Sequence, residues 1–120
     1  MTLAEMSREL ALESLTPSLE AGAPGAQVDR AHASDLLSDV LANAPAGAVL
    51  LTIQVHMNVI AVALHAGLAA VVFTSGMAPD EAVRARAAEE KLPLFSTAAS
   101  TFDTAGRLYA LGLRGGTSRA

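Results

Sequence analysis

The chain has 120 residues, enough for one domain and too few for a second with a core of its own. Apolar residues make up 52% and charged residues 17%, which excludes an intrinsically disordered chain. A net charge of −4 argues against nucleic acid as a partner, and the lack of cysteine excludes disulfides, thiolate metal sites and cysteine nucleophiles.

Thr2 followed by Glu5 forms a capping box and predicts a helix to about Leu12. A short extended piece, Leu15 to Leu19, follows, and then a Gly/Pro/Ala loop over 21–26. Val28 to Asp35 reads as a weak strand and Leu36 to Ala42 as a short helix, stopped by Asn43, Pro45 and Gly47. Ala48 to Ile53 is a continuous apolar run, which suits a strand buried on both faces. Asn58 to His65 is helical, with Gly67 to close it, and Leu68 to Phe73 is a second apolar strand. Pro79, near the first helical position, opens a helix to about Lys91. Pro93 to Ser96 is a third strand, edge-like because proline lacks the N–H. Ser100 caps a helix over Thr101 to Leu111, ended by Gly112, and 115–120 is expected to be a disordered tail to a domain over 1–114. The β-α-β-α-β-α order over 48–112 predicts a single small α/β domain with a mainly parallel sheet flanked by helices.

The helix from Asn58 to Ala66 carries no Asp, Glu, Lys or Arg. A helix apolar all round is covered on more than one side. The cover is either a second copy of the chain, giving a homodimer, or the N-terminal elements. The most apolar stretch, Val59 to Phe73, is broken by His65 and Gly67 and falls short of the ~20 residues that span a bilayer. With no basic segment before an apolar run near Met1, a cytoplasmic location without a membrane partner is expected.

In parallel sheets, ligands sit at the carboxyl ends of the strands. The first such end carries Thr52, Gln54, His56 and Asn58 in alternation, with Asn58 where a helix cap is needed. The second carries Thr74, Ser75 and Gly76, and the third Ser96 and Thr97, with Ser100 close by. Together Gln54, His56, Asn58, Thr74, Gly76, Ser96 and Thr97 could line one shallow site for a small polar or anionic ligand, a phosphate or nucleotide among them. Asn58 and Ser100 serve equally well as plain helix caps. Asp35 and Asp39, four apart beside His32, are too few for a metal site, and no cofactor is expected. No G-x-x-x-x-G-K-[ST] loop occurs, and Lys91 is the single lysine, so P-loop phosphoryl transfer is not supported.

Asp29-Arg30, the stretch Ala33 to Ala44, Thr52 to Asn58, Ala61-Val62-Ala63 and Ser100 to Tyr109 together resemble the DRTGG domain. The resemblance implies an α/β fold similar to the N-terminal domain of HPr kinase/phosphorylase. Members are often labelled serine kinases of the HPr protein, although the kinase domain lies elsewhere in that enzyme. Such domains also occur in phosphotransacetylases and between CBS domains of family II pyrophosphatases, where regulatory and subunit-association roles are implied. Asp29 and Arg30 remain from the name-giving motif, while Ala31-His32-Ala33 replaces its Thr-Gly-Gly part. The expectation is a non-catalytic, homodimeric regulatory domain. One alternative is a small enzyme with His56 as general base, given an orienting carboxylate from Asp35 or Asp103. The other is a structural partner of a larger protein complex of redox or hydrogenase type.

Overall fold

In the computed structural model, which describes residues 1–19 and 27–116, the chain runs α1 (Leu3–Glu9), β1 (Glu13–Ser14), β2 (Ala31–Ala33), α2 (Leu37–Asn43), β3 (Val49–Thr52), α3 (Asn58–Ala66), β4 (Ala70–Phe73), α4 (Glu81–Glu89), β5 (Leu94–Ser96) and α5 (Thr101–Ala110). The strands form one sheet in the order β1-β5-β4-β3-β2. The pairs from β2 to β5 are parallel, and β1 adds to β5 antiparallel. This is the α/β architecture that the alternation of elements predicts. The loop expected over 21–26 and the end of the tail, 117–120, lie outside the described residues.

Side chains alternate across the sheet and build two cores. Leu50, Val71, Phe73 and Leu94 pack against Val40 of α2, Val59, Ile60 and Ala63 of α3, and Val83 and Ala87 of α4. On the opposite face Val49, Leu51, Val72 and Phe95 pack against Leu3 and Met6 of α1 and Leu108 of α5. Both faces of β3 and β4 are therefore buried, and their sequences read as unbroken apolar runs.

Local chemistry fixes most element ends. The Thr2–Glu5 capping box forms in both directions, and α1 then ends at Glu9 rather than Leu12. Gly67 takes φ +70 and closes α3, a left-handed conformation that a Cβ disfavours. Ser100 accepts from the Asp103 N–H at the start of α5.

Several expectations are corrected. Asp80, not Pro79, starts α4: its side chain accepts from the Val83 N–H, so Pro79 lies just outside the helix. The extended piece is Glu13–Ser14, and the chain turns after Leu15 because Pro17 has no N–H to donate. Strand β5 is not an edge. Leu15 N–H donates to the Leu94 carbonyl, and Leu94 N–H donates to the buried Thr16 hydroxyl at 3.1 Å. The N-terminal segment thus closes the side that the proline left open. Helix α3 is flanked within its own chain, closely by α2 and more sparsely by α4. No helix among the described residues is long and apolar enough to cross a membrane.

Candidate functional site

Parallel pairing puts the carboxyl ends of β2 to β5 along one edge of the sheet. At the end of β3 the chain folds on itself in small steps. The Asp35 carboxylate comes across from the β2–α2 loop and accepts from the Thr52 hydroxyl (2.9 Å) and the Ile53 N–H (2.8 Å). The Thr52 hydroxyl in turn accepts from the Gln54 N–H (3.0 Å). The Gln54 side-chain oxygen accepts from the His56 N–H (3.2 Å), and His56 Nδ1 accepts from the Asn58 N–H (3.0 Å). The alternation of polar residues that the sequence shows is thus a ladder of local side-chain-to-backbone bonds.

This ladder changes the roles assigned from the sequence. Asn58 is the first residue of α3, not its cap, and Met57 at the cap position makes no side-chain bond. The His56 imidazole does the capping. Because Nδ1 accepts a hydrogen bond from the Asn58 N–H, the neutral ring carries its own proton on Nε2 and presents a donor outward. A ring so held has no free lone pair with which to act as a general base. Asp35 is spent on Thr52 and Ile53 rather than on the imidazole. Replacing His56 with alanine should cost about 1 kcal/mol of stability through the lost cap, and asparagine should restore most of it. Urea unfolding of the two variants measures this.

The strand-end residues separate into two groups. Gln54, His56 and Met57 line a cleft of about 440 Å³ with Asp80, Ala82 and Val83 from the start of α4. Thr74, Gly76 and Thr97 are instead tied into the turn after β4 and the loop between β5 and α5. Ser75 (φ 58) and Gly76 (φ 73) make a left-handed turn whose N–H groups donate to the carbonyls of Ala99 and Thr97. The Thr74 hydroxyl meets that of Thr101, and the Thr97 N–H donates to the Phe73 carbonyl. Ser96 points to β1, its hydroxyl 3.4 Å from Glu13. Asp29 and Arg30 sit at the opposite end of the sheet from these loops, bridged through their backbone to Arg114, with no side-chain ion pair among the described residues.

A trough of about 350 Å³ between α3 and α4 escaped the sequence reading. Its walls carry Met57, Ile60, Ala61 and Leu64 on one side and Ala82, Ala85, Arg86 and Glu89 on the other. The spacing of 57, 60/61 and 64 was legible as an apolar stripe, but nothing in it says that the facing alanines leave a gap.

The pair His32 and Asp39 is a second feature. His32 Nε2 lies 2.8 Å from Asp39 Oδ2, and the Asn43 amide donates to Asp39 Oδ1 at 2.8 Å. This joins edge strand β2 to α2. Asn43 first, then His32 and Ser34, hold the Asp39 carboxyl down at about 2. A depressed acid stabilises the fold above its unfolded value of 3.8 and loses that contribution as pH falls towards 2. Acid unfolding of the Asp39→Asn variant should therefore be flatter than that of the parent over this window. Among the described residues no group of three or more His, Asp or Glu converges as a metal site.

Residues 56–111, from the capping histidine to the end of α5, match the family model of the DRTGG domain. The Asp29 to Ala44 stretch lies outside that match. The chain is also similar in fold to the crystal structure of the CBS and DRTGG domains of the regulatory region of Clostridium perfringens pyrophosphatase, complexed with its activator diadenosine tetraphosphate. The TM-score is 0.67 at 13% identity, over 93% of this chain and 47% of that one, so the chain spans about half the length of that structure. No curated protein matches the chain.

Proposed function

We propose that this chain is a non-catalytic regulatory domain, homodimeric, that senses a small polar or phosphorylated ligand beside His56. The observation that carries the reading is the ladder from Asp35 to Asn58. It holds a rigid loop at the strand end with the Gln54 amide N–H groups and the His56 Nε2–H still free to donate. Rigid donors at the mouth of a cleft bind with little ordering cost. The match to DRTGG domains, and the place of one such domain in a regulatory region complexed with a nucleotide activator, support the same reading.

The association face of the proposed homodimer is α5 rather than α3, which lies closely against α2 and more sparsely against α4. Phe102 is 85% exposed and Tyr109 is 60% exposed, about two turns apart on the same side of α5 with Gly106 between them. An aromatic side chain left in water beside a glycine notch is a ready contact for a second copy. Replacing Phe102 with glutamate should halve the mass seen by light scattering while moving stability by no more than about 0.5 kcal/mol. A parent protein that is monomeric across the micromolar range would refute the dimer.

The sensing role is tested by thermal shift and light scattering with a panel of nucleotides and phosphometabolites. A ligand at a hundred times its Kd should add about 2.7 kcal/mol to stability. That gain should be lost when His56 becomes alanine. Indifference of the parent to the whole panel would leave only the structural-partner reading, for which the exposed Phe102 is the point of contact.

A further inference from the structure

We infer that the cleft at His56 and the trough between α3 and α4 are one continuous site, and that its ligand presents a planar heteroaromatic base, such as the purine of a nucleoside or nucleotide. This rests on the sensing reading above and gives it a ligand class. Met57 and Ala82 line both spaces, so the two lie side by side. The combined groove is polar at the end of β3 and mainly apolar along the helices, with Arg86 and Glu89 on the α4 wall.

The apolar part follows from helix geometry. Met57, Ala61 and Leu64 recur on one side of α3, and Ala82 and Ala85 face them from α4. The alanine side chains stop at Cβ and cannot fill the seam. The resulting 350 Å³ falls within the range of about 300–1,000 Å³ for small-molecule sites, and exceeds the roughly 150 Å³ that holds a benzene ring. Walls of methyl and methylene groups suit the two faces of a flat ring, and the Met57 thioether is a favourable neighbour for an aromatic edge.

The polar part selects the edge of that ring. Gln54 and His56 each offer a donor, as the ladder of bonds requires. Asp80 caps α4 through Oδ1, which leaves Oδ2 as an acceptor. Donors beside an acceptor match a base that carries an exocyclic amine next to a ring nitrogen, as adenine and cytosine do. A bare phosphate fits this end less well. The Asp80 carboxylate repels it, and Arg86, the cation on the trough wall, is held by Glu90 at 3.3 Å. Any phosphate of the ligand would therefore point out of the groove while the base lies in it.

The test is a titration of the isotope-labelled full chain, followed by amide resonances, with adenosine, cytidine and inorganic phosphate as separate probes. A nucleoside should shift Met57 and Asn58 together with Ala61, Leu64 and Ala85, saturably. Replacing Ala85 with leucine fills the trough at an exposed helical position and should weaken nucleoside binding at least about tenfold. An unchanged thermal midpoint shows that the variant is folded, and replacing Ala82 with valine is the second filling if it is not. Phosphate that shifts only Gln54 and His56, with both nucleosides silent, would keep the sensing reading and overturn the base in the trough. Nucleoside binding that both fillings leave intact would overturn it as well. Silence of all three probes would overturn this inference and count against the sensing reading together.

Discussion

Replacing Phe73 with alanine should destabilise the fold by about 3–5 kcal/mol, on the order of 10–20 °C in thermal midpoint. Phe73 ends the central strand β4, between Thr52 of β3 and Ser96 of β5, and none of it reaches solvent. It is the largest fully buried side chain among the described residues. The core around it is made of Val, Leu, Ile and Ala from three helices and the sheet. Short side chains on a hydrogen-bonded sheet have little reach with which to close a cavity. The lost ring therefore costs both its transfer energy and the void it leaves. Domains of this size are stable by only about 5–15 kcal/mol, so one residue carries a large share. Leucine at the same position keeps part of the volume and should cost much less. Urea unfolding of the two variants checks the ratio, and an alanine variant within 1 kcal/mol or so of the parent would show that the core relaxes after all.

Where local chemistry decides, the sequence predicts well. Thr2 with Glu5, Ser100 with Asp103, and Gly67 after an apolar helix each name an element end, and each end forms there or within a few residues. The unbroken runs in β3 and β4 announce strands covered on both faces, and the sheet covers them so. What escapes the sequence is non-local or is an absence of matter. The pairing of Leu15 and Thr16 with Leu94 joins segments nearly eighty residues apart, and no local signal at Pro93 reveals it. The all-apolar character of α3 does predict cover, and of the two sources offered the N-terminal side supplies part, through α2. The other flank is α4, which follows α3 in the chain and which the apolar pattern of α3 does not specify. The trough is a gap, and a gap depends on what faces it. At the strand ends the sequence identified polar residues correctly as polar and as adjacent to the edge. It could not say that Thr74 pairs with Thr101 and Gly76 with Thr97 while Gln54 and His56 open towards α4.

The second large effect is expected at Asp35. Its carboxylate lies at the foot of the ladder that shapes the β3–α3 loop. The Thr52 residue it serves is completely buried, and the Thr52 hydroxyl both donates to Asp35 and accepts from the Gln54 N–H. Changing Asp35 to alanine removes the acceptor and leaves a buried hydroxyl proton with no partner, at a cost of about 1–3 kcal/mol. The Ile53 N–H is exposed and turns to water instead, so it adds little. The unpaired hydroxyl is then free to rotate, and the Gln54 N–H loses a fixed acceptor. Gln54 holds the His56 backbone and His56 holds that of Asn58, so disorder at the first step spreads to the donors that the proposed ligand needs. The variant should accordingly lose affinity for nucleoside by more than its stability loss explains, while the chain remains folded. Asparagine keeps an oxygen at the same place and should recover most of the stability and much of the affinity. If Asp35→Ala were destabilised yet bound nucleoside as the parent does, the loop would not be the ligand's anchor, and Asp35 would be a purely structural tie between the ends of β2 and β3.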